Sequence, residues 1–167
     1  MTKKDFVELM DYNLWAKRRL LDSLASMKRE DFERDLHSSH GGVRGTMLHM
    51  VNAENIWTSR LSGLPVIHLD AVSLSSISDI SQKWDELDQK LIQLINGFED
   101  DELNSRFEYS DLKGNNYSQP RAWALQQIFN HFTYHRGQIV AMQRQLGYNP
   151  VNTDLITYLR EIGKQAR

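Results

Sequence analysis

The sequence contains no cysteine among its 167 residues. Disulfide bonds, thiolate metal sites and cysteine nucleophiles are therefore all excluded, and the composition fits a reducing compartment. Any thiol that takes part in the chemistry of this protein would have to arrive as a substrate.

Long apolar runs and blocks of like charge are also missing. No stretch approaches the roughly 18 apolar residues that span a bilayer, and residues 1–21 lack the apolar block of a signal peptide. The formal net charge is -2, with lysine and arginine scattered along the chain. Because phosphate neutralisation dominates nucleic-acid affinity, we expect no nucleic-acid partner. We expect a cytoplasmic protein with no membrane partner.

Hydrophobic periodicity is what the sequence does contain. Hydrophobic residues make up 40% of the chain, enough for the core of a single domain covering residues 1–167. Apolar residues recur with a period near 3.6 in four long segments, as amphipathic helices require. These predicted helices cover residues 4–25, 44–61, 78–95 and 120–146. A shorter helix is predicted for 153–164, packing through Leu155, Ile156, Leu159 and Ile162.

The connections between these helices differ in character. Residues 28–43 are polar and contain the pair Gly41-Gly42, so they are predicted to form a loop over the bundle. Residues 106–109 and 116–118 alternate around an Asp/Asn/Gly-rich turn, which predicts a β-hairpin between the third and fourth helices. The expected fold is all-α, a four-helix bundle with long connections, this hairpin and a C-terminal helix.

The fourth helix carries a pair of histidines, His131 and His135. Residues four apart on a helix differ by about 40°, so both rings project from one surface and can reach a common metal ion. Both rings also lie beside the apolar stripe that faces the core, where titratable rings are normally paired or ligating. The pair alone favours core packing and metal binding equally.

His49 has the same inward character on the second helix. With His131 and His135 it would form a three-histidine site, which leaves a coordination position for water or substrate as catalytic zinc sites do. Gln138 lies on the same surface of the fourth helix and could support a ligand ring or a bound water. Taken alone, His49 is more typical of a satisfied core histidine. The other three histidines fall in loops and are expected at the surface, with only His40 placed to reach over the site.

Three blocks of the sequence resemble the DinB/YfiT superfamily. The first helix contains YNLWA at 12–16, and the second contains TMLH at 46–49 with Glu54 and Trp57 after it. The fourth contains HFTYHRGQI at 131–139, the most specific of the three. Over nearly its whole length, the chain is similar to a DinB-like protein of this superfamily of metal-dependent enzymes.

That resemblance implies an up-down-down-up bundle with a divalent metal ion bound by His49, His131 and His135. Zinc is favoured for three imidazoles, with nickel, iron and manganese as alternatives. The resemblance also implies a homodimer. Trp15 lies about 180° from the core stripe of the first helix. It is therefore either part of an interface or covered by the C-terminal helix or the 28–43 loop.

The sequence leaves three functional hypotheses. The first is a metal-dependent enzyme that activates water or a small-molecule thiol, as a hydrolase or an S-transferase; some relatives are thiol-dependent transferases or isomerases. The second is a non-catalytic metal-dependent ligand-binding or stress-response protein. This hypothesis gains support because no carboxylate that could act as a general base lies on the helix faces that carry the histidines. Glu54, on the second helix, lies about 140° from His49. The third, a structural bundle with core histidines, requires the block resemblance to be a coincidence.

Overall fold

Seven helices and one two-stranded hairpin make up the described part of the chain. The structure, a computed structural model, describes residues 1–111 and 113–165, the last two as backbone only. In chain order the elements are α1 (Lys3–Leu24), α2 (Arg29–Glu33), α3 (Val43–Leu61), α4 (Ile77–Gly97), α5 (Asp100–Asn104), β1 (Arg106–Ser110), β2 (Asn116–Pro120), α6 (Arg121–Gln145) and α7 (Leu155–Gln165). The four predicted long helices are confirmed as α1, α3, α4 and α6, with ends within two residues of the prediction. Among the described residues, no helix combines the length and hydrophobicity that crossing a bilayer requires.

Local sequence signals start the long helices. Before α1, the Thr2 side chain accepts a hydrogen bond from the backbone N–H of Asp5, whose carboxylate accepts one from the backbone N–H of Thr2. Ser76 and Asp79 form the same capping box before α4. Pro120 precedes α6, where its missing N–H costs no helical hydrogen bond. These caps satisfy backbone donors that the first turn of a helix leaves free.

Around the core the four long helices follow the order α1, α4, α3, α6. Helix α3 packs on α4 and α6, and α1 packs on the same two helices from the opposite side. Consecutive helices α1 and α3 therefore lie across a diagonal, as do α4 and α6, so the segments 25–42 and 98–120 that connect them are long. This order puts α3 directly beside α6, and their histidines can meet.

Two short helices were not predicted. The expectation that residues 28–43 form only a loop was wrong for α2, whose Phe32 is buried and which packs against α3. The rest of that segment is irregular apart from a bridge between Ser38 and Gly41. Helix α5 buries Leu103 in the same way. Five-residue helices are too short to display a 3.6-residue period, so their apolar anchors carried no recognisable pattern.

The predicted β-hairpin is confirmed. Strands β1 and β2 pair antiparallel, with Tyr109 opposite Tyr117, and their two rings stack with centroids 5.5 Å apart. In the turn, the Asp111 carboxylate accepts hydrogen bonds from the backbone N–H groups of Lys113 and Asn115, at 2.8 and 2.9 Å. The hairpin leads directly into α6 and so positions the start of the helix that carries two of the candidate ligands.

Helix α7 covers Trp15. The indole N–H of Trp15 donates to a carboxylate oxygen of Glu161 at 2.9 Å, and its ring lies 5.5 Å from that of Tyr158. Trp15 therefore gives no support for an interface. The predicted packing face of this helix was wrong, because its four large aliphatic side chains are 41–51% exposed: Leu155, Ile156, Leu159 and Ile162. Helix α7 packs on α1 instead, through the side that carries Tyr158 and Glu161.

Candidate metal centre

The contact between α3 and α6 brings the three predicted histidines together. The Nε2 atom of His131 lies 2.9 Å from Nε2 of His49 and 3.1 Å from Nε2 of His135. The three ring centroids are 4.3 to 4.8 Å apart. Two rings come from successive turns of α6 and one from the facing turn of α3, so the geometry follows from helix packing and not from a flexible loop.

This arrangement fits a divalent metal ion. Zinc binds imidazole nitrogen at about 2.0–2.1 Å, so two ligand nitrogens on one ion lie about 2.9–3.3 Å apart at coordination angles between 90° and 109°. Both Nε2 separations from His131 fall in this range. Two lone pairs at such a distance repel each other unless a proton or a cation lies between them. One proton can satisfy only one pair, whereas one cation satisfies all three nitrogens.

A glutamine orients one of the rings. The Nδ1–H group of His135 donates to the amide oxygen of Gln138 at 2.6 Å, because a carbonyl oxygen can only accept. A neutral His135 then presents its lone pair at Nε2, toward His131. The Nδ1 atom of His131 is buried and has no hydrogen-bond partner among the described residues, so the orientation of this ring depends on packing.

His40 is a fourth histidine at this place, and it is the one loop histidine that the sequence placed where it could reach over the site. Its ring is half-buried and stacks on His49, with centroids 3.8 Å apart and planes at 16°. One nitrogen each from His40, His49 and His135 lie within 4.8 Å of one another, and this cluster could hold a metal ion. His37 and His68 are exposed, as expected. The neighbouring Gly41-Gly42 pair was the only sequence signal that set His40 apart.

Burial keeps the rings of His40, His49 and His131 neutral. The pKa of His49 is lowered to about 4, mainly by desolvation and also by the neighbouring His40 and His135. Desolvation likewise lowers the pKa of His131 to about 4, with contributions from His135, His49 and His40. The pKa of His40 is lowered for the same reasons. At neutral pH these three imidazoles are therefore uncharged, which is the form that binds a metal ion.

Comparisons with known proteins identify the family and the fold. The model of the DinB family matches residues 1–165. The chain belongs to the DinB family. Protein DinB of Bacillus subtilis (strain 168) is 24% identical over an alignment 162 residues long, and the match covers 91% of this chain and 92% of that protein. The crystal structure of a DinB-like protein from Bacillus cereus ATCC 10987 matches with a TM-score of 0.70 and 18% identity over 90% of this chain and 97% of that chain. At this identity the structural match shows the shared fold.

Other residues of the resembling blocks are structural in this DinB-family chain. Arg136 is only 2% exposed, and its guanidinium donates to the Asn13 side-chain oxygen at 2.5 Å and to the Tyr12 hydroxyl at 2.9 Å. The Tyr12 hydroxyl in turn donates to the backbone oxygen of Thr153. The YN pair of α1 and the arginine after His135 thus tie α1, α6 and the segment before α7 together. Sequence reasoning matched these residues to a family pattern without finding their contacts.

Glu54 belongs to a second buried polar cluster, on the other side of α3. As expected, it points away from His49; its neighbours are Lys17 of α1 and Asp88 of α4. The Lys17 ammonium pairs with the buried Asp88 and with Asp85, the latter at 2.6 Å. Complete burial raises the pKa of Glu54 well above its usual range, and the negative charge of Asp88 raises it further. Burial therefore favours the protonated form of Glu54, and the residue is not placed to serve as a base at the histidines.

Proposed function

We propose that this DinB-family protein binds one divalent metal ion through His49, His131 and His135 and uses it to activate water or a low-molecular-weight thiol. The observation that carries the proposal is that the Nε2 atoms of His49 and His135 both lie close to that of His131, at 2.9 and 3.1 Å. Zinc is the favoured ion, and nickel, iron and manganese are alternatives with the same imidazole ligands.

A purely structural role for these histidines is less well supported. Core histidines are normally satisfied by hydrogen bonds to backbone or side-chain groups. Here the only such partner among the described residues is Gln138, on His135. His131 has an unpartnered buried Nδ1, and its Nε2 faces only other histidines. A cation at the centre accounts for these contacts better than packing does.

The residues around the site define what chemistry it can support. A bound divalent ion supplies Lewis acidity, which lowers the pKa of a captured water or thiol toward neutrality. The two helices hold the three imidazoles, and Gln138 fixes the orientation of His135. Three protein ligands leave a position for an exogenous group. In the described part of the chain no carboxylate pairs with these three histidines or with His40, which favours a nucleophile activated by the ion alone.

A second candidate function is non-catalytic binding of a small molecule or a stress-related ligand at the same ion. The observation that favours it is the same lack, among the described residues, of a carboxylate base beside the histidines. The metal site is common to both candidates, and turnover distinguishes them. Incubating metal-loaded protein with a thiol and an electrophile, and separately with esters and amides, should reveal metal-dependent turnover in at least one set. Tight ligand binding without turnover would favour the second candidate.

Metal analysis of protein purified without a nickel column tests the proposed ligands. We expect close to one equivalent of metal in the wild-type protein and none in His135→Ala, which also disrupts the cluster of His40, His49 and His135. His68→Ala is the matched control, because His68 is exposed and lies in a loop; it should keep its metal. Circular dichroism checks that each variant retains its helices. Unchanged metal content in well-folded His135→Ala would exclude the proposed ligand set.

A homodimer remains a prediction from the family resemblance. Trp15 does not support it, since α7 covers that side chain. Sedimentation equilibrium of the full chain measures the mass directly, and a monomer at all concentrations would contradict the prediction.

A further inference from the structure

His40 contacts two of the three proposed ligands. Its ring stacks on His49 with a centroid separation of 3.8 Å and lies 5.3 Å from the ring of His135, at 67° to it. One nitrogen from each of these three histidines lies within 4.8 Å of the other two. A fourth imidazole is therefore next to a site whose proposed ligands leave a coordination position open.

The backbone around His40 is anchored to the start of α3. The N–H of Leu36 donates to the carbonyl of Gly41 at 2.8 Å, and the N–H of Gly41 donates to the carbonyl of Ser38 at 3.0 Å. Gly41 has a φ of +79°, in the left-handed region that favours glycine. A Cβ on Gly45, in the first turn of α3, would lie 1.9 Å from the carbonyl oxygen of His40. A tight turn and a close backbone approach thus hold position 40 against α3.

Its neighbour in the same loop behaves differently. The side chain of His37 is 91% exposed, whereas His40 is half-buried among other imidazoles. Packing four imidazole rings together removes water from their nitrogens, and this cost is offset only if those nitrogens find partners. His40 has no charged partner among the described residues, so a cation shared with His49 and His135 is the partner its position suits.

We propose that His40 is a fourth, displaceable protein ligand of this metal site. The inference rests on the proposed function. The rings of His49, His131 and His135 diverge by 51–74°, whereas His40 lies nearly parallel to His49. To bind the ion, His40 must rotate away from the face of His49 so that one of its nitrogens comes to about 2.9–3.3 Å from the other ligand nitrogens.

These two positions of His40 give the site two states. In the stacked position the site has three protein ligands and is open to an exogenous group. In the ligating position it has four, as closed zinc sites do. An incoming small molecule therefore competes with the His40 side chain, and only good donors for the metal, such as a thiolate or an imidazole, displace it.

Cobalt(II) titration of the full chain tests this inference, because the visible absorption of cobalt reports the number and type of its ligands. We expect His40→Ala to change the cobalt spectrum of the wild-type protein and to weaken cobalt binding at least about tenfold, the lower end of the loss seen when groups supporting a metal site are removed. Millimolar free imidazole should then restore the wild-type spectrum in His40→Ala. His68→Ala is the matched control and should behave as the wild type.

The outcomes separate the two proposals. Wild-type protein that binds no cobalt and contains no metal would overturn the proposed function, and this inference with it. Wild-type protein that binds cobalt, with an identical spectrum and affinity in His40→Ala, would overturn the inference alone. Circular dichroism and His40→Asn, which keeps a polar side chain in the loop, check that any change does not come from unfolding.

Discussion

Helix α3 carries two ionisable side chains, the half-buried His49 and the fully buried Glu54, that belong to different polar clusters. His49 faces α6 and meets three other imidazoles, whose nitrogens converge without a carboxylate among their described partners. Glu54 faces α1 and α4, where the Lys17 ammonium pairs with Asp88. The histidine cluster consists of imidazoles with no oppositely charged partner among the described residues. The Glu54 cluster contains both charges of an ion pair.

This difference separates a site that needs a ligand from one that does not. Buried charges are stable when they are paired, and the Lys17–Asp88 pair needs no external group. Neutral imidazoles that point their nitrogens at one another remain unsatisfied until a cation or a proton joins them. We therefore expect changes in the Glu54 cluster to alter folding stability and changes in the histidine cluster to alter metal affinity.

Lys17→Met should have the largest effect on stability. It leaves the Asp88 carboxyl, only 3% exposed, without its cation, and removing one partner of a buried pair costs about 3–5 kcal/mol. Urea denaturation at neutral pH measures the free energy of unfolding. Metal affinity of the folded protein should be unchanged. A loss below about 1 kcal/mol would mean that the pair is more hydrated than its burial indicates.

Gln138→Leu should act on metal affinity and leave stability nearly unchanged. Gln138 accepts the Nδ1–H of His135, and loss of such a supporting group typically weakens metal binding about 10- to 100-fold. Competition with a chromophoric chelator measures the affinity. Gln127→Leu is the control, because Gln127 is exposed on the same helix. Equal affinities in the two variants would show that Gln138 does not orient the ligand.

Glu54→Gln should change how stability depends on pH. Burial, and then the charge of Asp88, raises the pKa of Glu54 well above its usual 4.5, while in the unfolded chain the group ionises near 4.5. Between these two pKa values the folded chain binds the extra proton. The free energy of unfolding of the wild-type protein therefore falls as the pH rises, by about 1.4 kcal/mol per pH unit for one group. The glutamine side chain does not ionise, so Glu54→Gln lacks this pH dependence.

The free energy of unfolding of Glu54→Gln, relative to the wild type, should therefore increase as the pH rises from the usual pKa of Glu54 toward its raised value in the folded protein. Lys17 opposes this trend, since its positive charge lowers the pKa of Glu54, but burial is the larger contribution. Denaturation midpoints at a series of pH values measure the difference. A difference that is constant across the series would show that Glu54 is ionised in the folded protein.

Asp85→Asn should have the smallest effect. Asp85 also pairs with Lys17, at 2.6 Å, but its side chain is 67% exposed. Water and salt screen such a pair, so its removal should cost less than about 1 kcal/mol. Urea denaturation of Asp85→Asn, compared with that of Lys17→Met, distinguishes the contribution of the exposed partner of Lys17 from that of the buried Asp88. If Asp85→Asn cost as much as Lys17→Met, the exposed Asp85, and not the buried Asp88, would be the partner through which Lys17 stabilises the fold.

The long helices and the hairpin could be predicted because their signals are local. Periodicity located α1, α3, α4 and α6 to within two residues, and an Asx/Gly-rich turn located β1 and β2. The short helices α2 and α5 were missed because each is defined by one buried apolar residue, Phe32 and Leu103. The packing face of α7 was mistaken because Tyr158 and Glu161 find partners on α1, and no pattern within α7 reveals them.

The sequence by itself determined which helices form, that His131 and His135 share a face, and that Glu54 points away from His49, because helical geometry sets the angle between residues on one helix. Only the tertiary structure decided which groups meet across helices. It brought His49 to the pair on α6, surrounded Glu54 with Lys17 and Asp88, and turned His40 inward from a loop. Those contacts depend on the diagonal order of the bundle and on a backbone turn at glycine, which no single segment of the sequence encodes.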